Sequence, residues 1–260
     1  MQIAQAGTGP GRPLVMVHSL LTDWRAFDPV VSALAQGRRV IRVSLPGFAS
    51  SPALDMENPG IFDLADSVAE TLTDAEVGDG AAVLGNGLGA FVVAALAIAQ
   101  GHRFGPFIFA NGGAVFSEER RGAFTTMSDL VTNGGMEAVV DVAVKRIFTE
   151  PYLEAHPEVI GERRAVLLET DPLAFSASCR ALRDMDLSGQ VGAIDNPTLV
   201  IAGGADQTTP PEMARHLAAA IPGSTLVELD RCGHCPQLEQ PEALAAAVET
   251  FLQAHDGGAA

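Results

Sequence analysis

The chain of 260 residues is 47% hydrophobic and 18% charged, with a formal net charge of −16. This balance describes a well-packed globular chain rather than a disordered one, and the length suits one large α/β domain. Nearly all the positive charge is arginine, with a single lysine at Lys145, and such an acidic surface argues against nucleic acid or anionic membrane as partners.

Apolar runs alternate with helical patterns from the N-terminus onward. Strands are predicted at 14–17 and 40–43, with a helix between them over 24–34, where Phe27, Val30, Val31 and Leu34 share a face. Leu64, Val68 and Leu72 place a second helix at 62–72. Residues 81–84 form a strand that runs into Gly85-Asn86-Gly87-Leu88-Gly89 and then an apolar helix at 91–99. Further strands follow at 107–110, 198–202 and 225–229, and a helix at 241–252. This alternation predicts a mostly parallel sheet covered on both faces, with ligands bound at the carboxyl ends of the strands. Residues 117–189 break the alternation. They are helical in pattern, most clearly at 136–148, and read as a helical cap inserted between core segments 1–116 and 190–260. Residues 256–260 read as a frayed tail.

No apolar stretch is long enough to span a bilayer, the run at 91–99 being a buried-helix fragment. Met1-Gln2-Ile3-Ala4 lacks the charged and apolar regions of a secretory signal, so the chain is expected to be cytoplasmic. Cys232-Gly233-His234-Cys235 spells the C-x-x-C of thiol oxidoreductases. That chemistry needs the first cysteine at a helix N-terminus near the start of a βαβ unit, whereas here the motif lies near the C-terminus and Pro236 follows it. No fourth ligand for zinc is evident nearby.

The turn at 85–89 has the strand–turn–helix form of a nucleophile elbow. Small flanking residues avoid clashes there, and the central residue would be serine, but it is Gly87. Asp206 follows one strand and His234 follows the last. Elbow, then acid, then histidine is the chain order of α/β-hydrolases, and an imidazole held by a carboxylate is suited to act as a general base. The plainer readings are a buried structural histidine, a turn-forming aspartate, and a glycine that relaxes a left-handed turn.

On these motifs the chain resembles the α/β-hydrolase family, and within it the branch around 3-oxoadipate enol-lactonases, over nearly its whole length. His18-Ser19-Leu20-Leu21 stands where the oxyanion loop lies, and Leu45-Pro46-Gly47-Phe48-Ala49-Ser50 resembles a family loop. Phe148-Thr149-Glu150-Pro151-Tyr152, the run 179–187 and the loop around His234 are also similar. The resemblance implies an oxyanion hole from the backbone N–H groups of Leu20 and Leu88, with no metal or organic cofactor. It departs at Ser19, where the family usually has glycine, and at Gly87. Ser19 and Trp24 are expected to bind substrate, with packing the plainer reading of a lone tryptophan that begins a helix. Ser19 is not expected to replace the missing hydroxyl, because an oxyanion-loop residue faces the substrate oxygen rather than the base. Met127, Met136 and Met185 are expected to be core or pocket lining, and Asn86 and Asn111 turn or pocket-edge residues.

Three readings of the missing serine follow. The chain hydrolyses a small, fairly apolar carboxylic ester or lactone, with water filling the space at Gly87. Alternatively, His234 and Asp206 act as a general base in an elimination, cyclisation or decarboxylation. The third is an inactive binding module. The expected partner is a small molecule, and the expected state is a monomer or homodimer.

Overall fold

The computed structural model describes residues 1–255; the expected frayed tail at 256–260 lies outside them. Its frame is a seven-stranded sheet of β1 (Ile3–Ala6), β2 (Gly11–Val17), β3 (Arg38–Val43), β4 (Ala82–Asn86), β5 (Phe107–Ala110), β6 (Thr198–Gly203) and β7 (Thr225–Leu229). The spatial order is β1-β3-β2-β4-β5-β6-β7, and every neighbouring pair is parallel except β1 with β3.

Period-two alternation explains why the central strands read as continuous apolar runs. Leu14, Met16, Val40, Leu84, Ile108 and Ile201 point into one apolar layer, and Val15, Val17, Ile41, Val83, Phe109 and Val200 point into another. With both faces buried, each strand position must be apolar whichever way it points. The first layer is closed by α1 (Asp28–Leu34) and by α11 (Pro241–His255), and the second by α2 (Ile61–Asp74) and α3 (Leu88–Gln100).

Two elements depart from the expectation. β1 was not foreseen because its four residues, Ile-Ala-Gln-Ala, carry no apolar run; it joins the sheet edge in register with β3, Ile3 opposite Val43. The helix expected at 24–34 is a 3₁₀ turn over Trp24–Phe27 followed by α1. Proline at position 29 fits the first turn of α1, where its missing N–H goes unneeded.

Between β5 and β6 lie five helices: α4 (Glu118–Gly134), α5 (Glu137–Ile147), α6 (Glu150–Ala155), α7 (Glu158–Leu168) and α8 (Pro172–Asp184). An isolated bridge pairs Val115 with Asp186 where this segment leaves and rejoins the sheet. α4 packs on α8, and the Ser128 and Ser176 hydroxyls share a hydrogen bond of 2.6 Å between them. Phe116 lies 4.9 Å from Phe91 of α3 and 4.8 Å from Phe124 of α4, measured between ring centroids, so an aromatic chain ties the helical segment to the core. The remaining α-helices among the described residues are α9 (Pro211–Ala220) and the short α10 (Pro236–Glu239). Among the described residues no helix is long and apolar enough to cross a membrane.

Candidate active site

Gly87 is the single residue between β4 and α3, at φ 55° and ψ −119°. A backbone with φ in this range strains any residue with a Cβ, and glycine adopts it without cost. Its flank is equally constrained: a Cβ on Gly85 would meet the Ala90 nitrogen at 2.6 Å. The turn is tied to the sheet and to the loop beside it, Gly87 donating its N–H to the Ala110 carbonyl at 3.1 Å and Gly89 donating to the His18 carbonyl at 3.0 Å.

Asp206 and His234 meet beside this turn, carried there by the ends of β6 and β7. His234 Nδ1 lies 2.8 Å from Asp206 Oδ2, and both residues are buried. Thr208 and Thr209 donate their N–H groups to Oδ1 at 2.7 and 3.1 Å, and the Thr209 hydroxyl donates to Oδ2 at 2.6 Å. With every lone-pair direction used, the carboxylate has one orientation. It accepts from Nδ1–H, which leaves Nε2 of the neutral ring as an acceptor.

That acceptor faces Ser19, whose Oγ lies 3.0 Å from Nε2. This corrects the expectation that Ser19 would face away from the base. Both groups also crowd the position that a side chain on residue 87 would take. A Cβ built on Gly87 would lie 2.6 Å from His234 Nε2, 2.8 Å from Ser19 Cβ and closer still to Ser19 Oγ. The Ser19 hydroxyl and the imidazole lie directly against the glycine.

The conformation of the 18–21 loop explains the direction in which Ser19 points. Its carbonyl accepts from His18 Nδ1 at 2.9 Å, from the Thr22 N–H at 3.2 Å and from the Thr22 hydroxyl at 3.3 Å. On its other side His18 Nε2 accepts the Leu45 N–H at 2.9 Å. The His18 ring is therefore neutral with its proton on Nδ1, and burial lowers its pKa to about 4.

Ser19, Gly87 and His234 open on one cavity of about 210 Å³, walled mainly by Leu20, Leu88, Phe91, Phe116, Phe124 and Leu182. Met127 lines it as well, whereas Met136 and Met185 are buried in the core. Glu119, Arg120 and Arg146 supply charge at its wall. Trp24 is not among its lining residues, contrary to expectation. Its ring instead lies under the Arg42 guanidinium, 4.8 Å from centroid to carbon.

Two asparagines expected as turn residues hold the histidine loop. Asn86 donates to the His234 carbonyl at 2.9 Å and accepts from Gln237 at 2.8 Å. Asn111 adopts φ 51°, donates to the Gly233 carbonyl at 2.8 Å and accepts the Gly203 N–H at 2.6 Å, so one side chain joins the ends of β6 and of the histidine loop. Their signal in the sequence is an asparagine closing a buried strand, which is too common to single out. The Cys232-x-x-Cys235 pair consists of free, buried thiols; desolvation raises Cys232 to about 12 and Cys235 well above its ordinary value. Such thiols resist the thiolate chemistry of redox motifs.

Residues 14–247 match the model of the alpha/beta hydrolase family. The chain belongs to that family. Among its alpha/beta hydrolase relatives, the 3-oxoadipate enol-lactonase 2 of Acinetobacter baylyi is 32% identical over 61% of this chain. The match spans 58% of that relative's own length. The pimeloyl-[acyl-carrier protein] methyl ester esterase of Aliivibrio salmonicida is 26% identical over 95% of each chain. The crystal structure of the enol-lactonase from Burkholderia xenovorans LB400 superposes with a TM-score of 0.91 at 28% identity, covering 97% of this chain and 96% of that one.

Proposed function

We propose that this alpha/beta hydrolase cleaves a small carboxylic ester or lactone, with His234 as general base and Asp206 fixing its tautomer. The observation that carries this reading is the 2.8 Å bond from His234 Nδ1 to Asp206 Oδ2, which leaves Nε2 to take a proton at the cavity wall. In this reading Gly87 stands at the elbow's nucleophile position with its side chain absent, and the backbone N–H groups of Leu20 and Leu88 form the oxyanion hole. Support for the hole comes from the placement of both residues on the cavity and from Leu88 being the first residue of α3, where an N–H has no intrahelical acceptor. Residues 117–189 act as the cap, a role supported by Phe124, Met127 and Leu182, which line the cavity from that segment. A cavity of about 210 Å³ walled mainly by leucine and phenylalanine suits a small, largely apolar acyl group.

The reading is tested by hydrolysis of a panel of activated esters and enol-type lactones by the full chain and by His234→Ala. Turnover that falls by roughly a hundredfold or more in the variant supports it. A wild-type protein that hydrolyses no member of the panel contradicts it.

A further inference from the structure

We infer that Ser19, on the loop after β2, is the nucleophile of this site. The inference rests on the hydrolytic reading above and deepens it by naming the attacking atom. Three observations carry it. First, Ser19 Oγ lies 3.0 Å from His234 Nε2, and the same ring is held through Nδ1 by Asp206 at 2.8 Å, so hydroxyl, imidazole and carboxylate form one continuous chain of hydrogen bonds. This is the arrangement by which a weakly nucleophilic hydroxyl is activated, and it depends on geometry rather than on the position of the serine along the chain. Second, the hydroxyl occupies the space that a side chain on Gly87 would take, at the wall of the cavity that Leu20 and Leu88 also line. Third, the hydroxyl is aimed by the rest of its loop. The Ser19 carbonyl is pinned by His18 and Thr22, and the adjacent His18 carbonyl by Gly89 of the elbow turn.

A side chain on residue 87 has no room there, because its Cβ would meet the Ser19 hydroxyl and His234 Nε2. Among the described residues, Ser19 Oγ is the hydrogen-bond partner found for Nε2.

The reaction balances as two transfers. Ser19 Oγ forms a bond to the substrate carbonyl carbon while its proton passes to His234 Nε2. The bond from that carbon to the leaving oxygen then breaks, and the alkoxide takes the proton from Nε2. Water next bonds to the acyl carbon and gives its proton to Nε2. The bond to Ser19 Oγ breaks, and the proton returns to Ser19. Ester and water are consumed, acid and alcohol are released, and nothing is oxidised or reduced. Leu20 directly follows the attacking residue, Leu88 directly follows Gly87, and both line the cavity into which the carbonyl would enter.

The test is covalent labelling of the full chain with a fluorophosphonate, mapping of the adduct by peptide mass spectrometry, and ester hydrolysis by Ser19→Ala. The labelling step itself displaces fluoride from phosphorus as His234 takes the Ser19 proton. The expected result is an adduct on Ser19 that is lost in His234→Ala, with hydrolysis by Ser19→Ala reduced roughly a hundredfold or more. If Ser19→Ala lacks a native thermal transition, Ser19→Cys carries the test. Its thiol should then be alkylated by iodoacetamide in a His234-dependent way while the three buried native thiols are spared. Hydrolysis that persists undiminished in Ser19→Ala, or an adduct on another residue with Ser19 unmodified, overturns Ser19 and leaves the hydrolytic reading standing. A wild-type protein that is neither labelled nor hydrolytic overturns both, and an adduct on Ser19 without turnover of the panel supports Ser19 while contradicting the hydrolytic reading.

Discussion

The Asn86 side chain donates to the His234 backbone carbonyl at 2.9 Å, joining the residue before the elbow glycine to the proposed base. Its Oδ1 accepts from Gln237 at 2.8 Å, so both ends of one buried amide hold the histidine loop. Replacing it with Leu strands the His234 carbonyl and the Gln237 amide without partners. Asn86→Leu is therefore expected to lower stability by about 2–3 kcal/mol, read as a shift in denaturation midpoint. It should also lower kcat more than it raises KM, since the base is displaced while the cavity wall stays in place.

His18 gives stability a defined pH dependence. Its pKa falls from 6.5 to about 4 on folding, chiefly because burial disfavours the charged ring. A depressed folded value means the unfolded chain takes up a proton first. This group's contribution is thus complete above pH 6.5 and is lost as pH falls toward 4, by on the order of 3 kcal/mol. Denaturant titrations of wild type and His18→Gln should show a stability gap that narrows across that window. A gap constant with pH would show that the ring titrates equally in both states.

Placing a serine at position 87 is not expected to be a simple gain. In Gly87→Ser the new Cβ would lie 2.6 Å from His234 Nε2 and 2.8 Å from Ser19 Cβ, at a backbone φ of 55°. The single variant should lose about 1–3 kcal/mol of stability and show no rise in kcat/KM. Gly87→Ser combined with Ser19→Gly removes the overlap with residue 19 and leaves one hydroxyl at the base, so it should exceed Gly87→Ser in both stability and hydrolysis.

The three thiols should be silent in the folded protein. Burial raises Cys179 and Cys232 to about 12 and Cys235 well above its usual range. Titration with a disulfide reagent at pH 8 should detect thiols only after denaturation. Cys232→Ser/Cys235→Ser should retain hydrolysis, since neither sulfur faces the cavity. Rapid labelling of Cys232 in the native state would contradict this.

How much of this was legible in the sequence depended on how local each signal is. The central strands read correctly because burial on both faces makes residues such as Val15 and Met16 apolar together, and Asp206 and His234 stood out because each follows a strand in a recognisable loop. β1 did not, since Ile3 to Ala6 are held by pairing with β3 rather than by their own pattern. The direction of Ser19 was misread for a similar reason. It accompanies the bonds from His18 and Thr22 to the Ser19 carbonyl and the contact of its hydroxyl with His234, which a family pattern for the loop does not reveal. Trp24 was misplaced because the packing of Arg42 against its ring is a tertiary contact.

The most direct test of the central claim, that Asp206 holds His234 as a general base, is the steady-state kinetics of Asp206→Asn on an ester the wild type hydrolyses. An amide at this position keeps the shape but favours the wrong imidazole tautomer. kcat should fall by roughly three to four orders of magnitude with KM little changed, as the same change does in serine proteases. A variant that turns over at the wild-type rate would contradict the account.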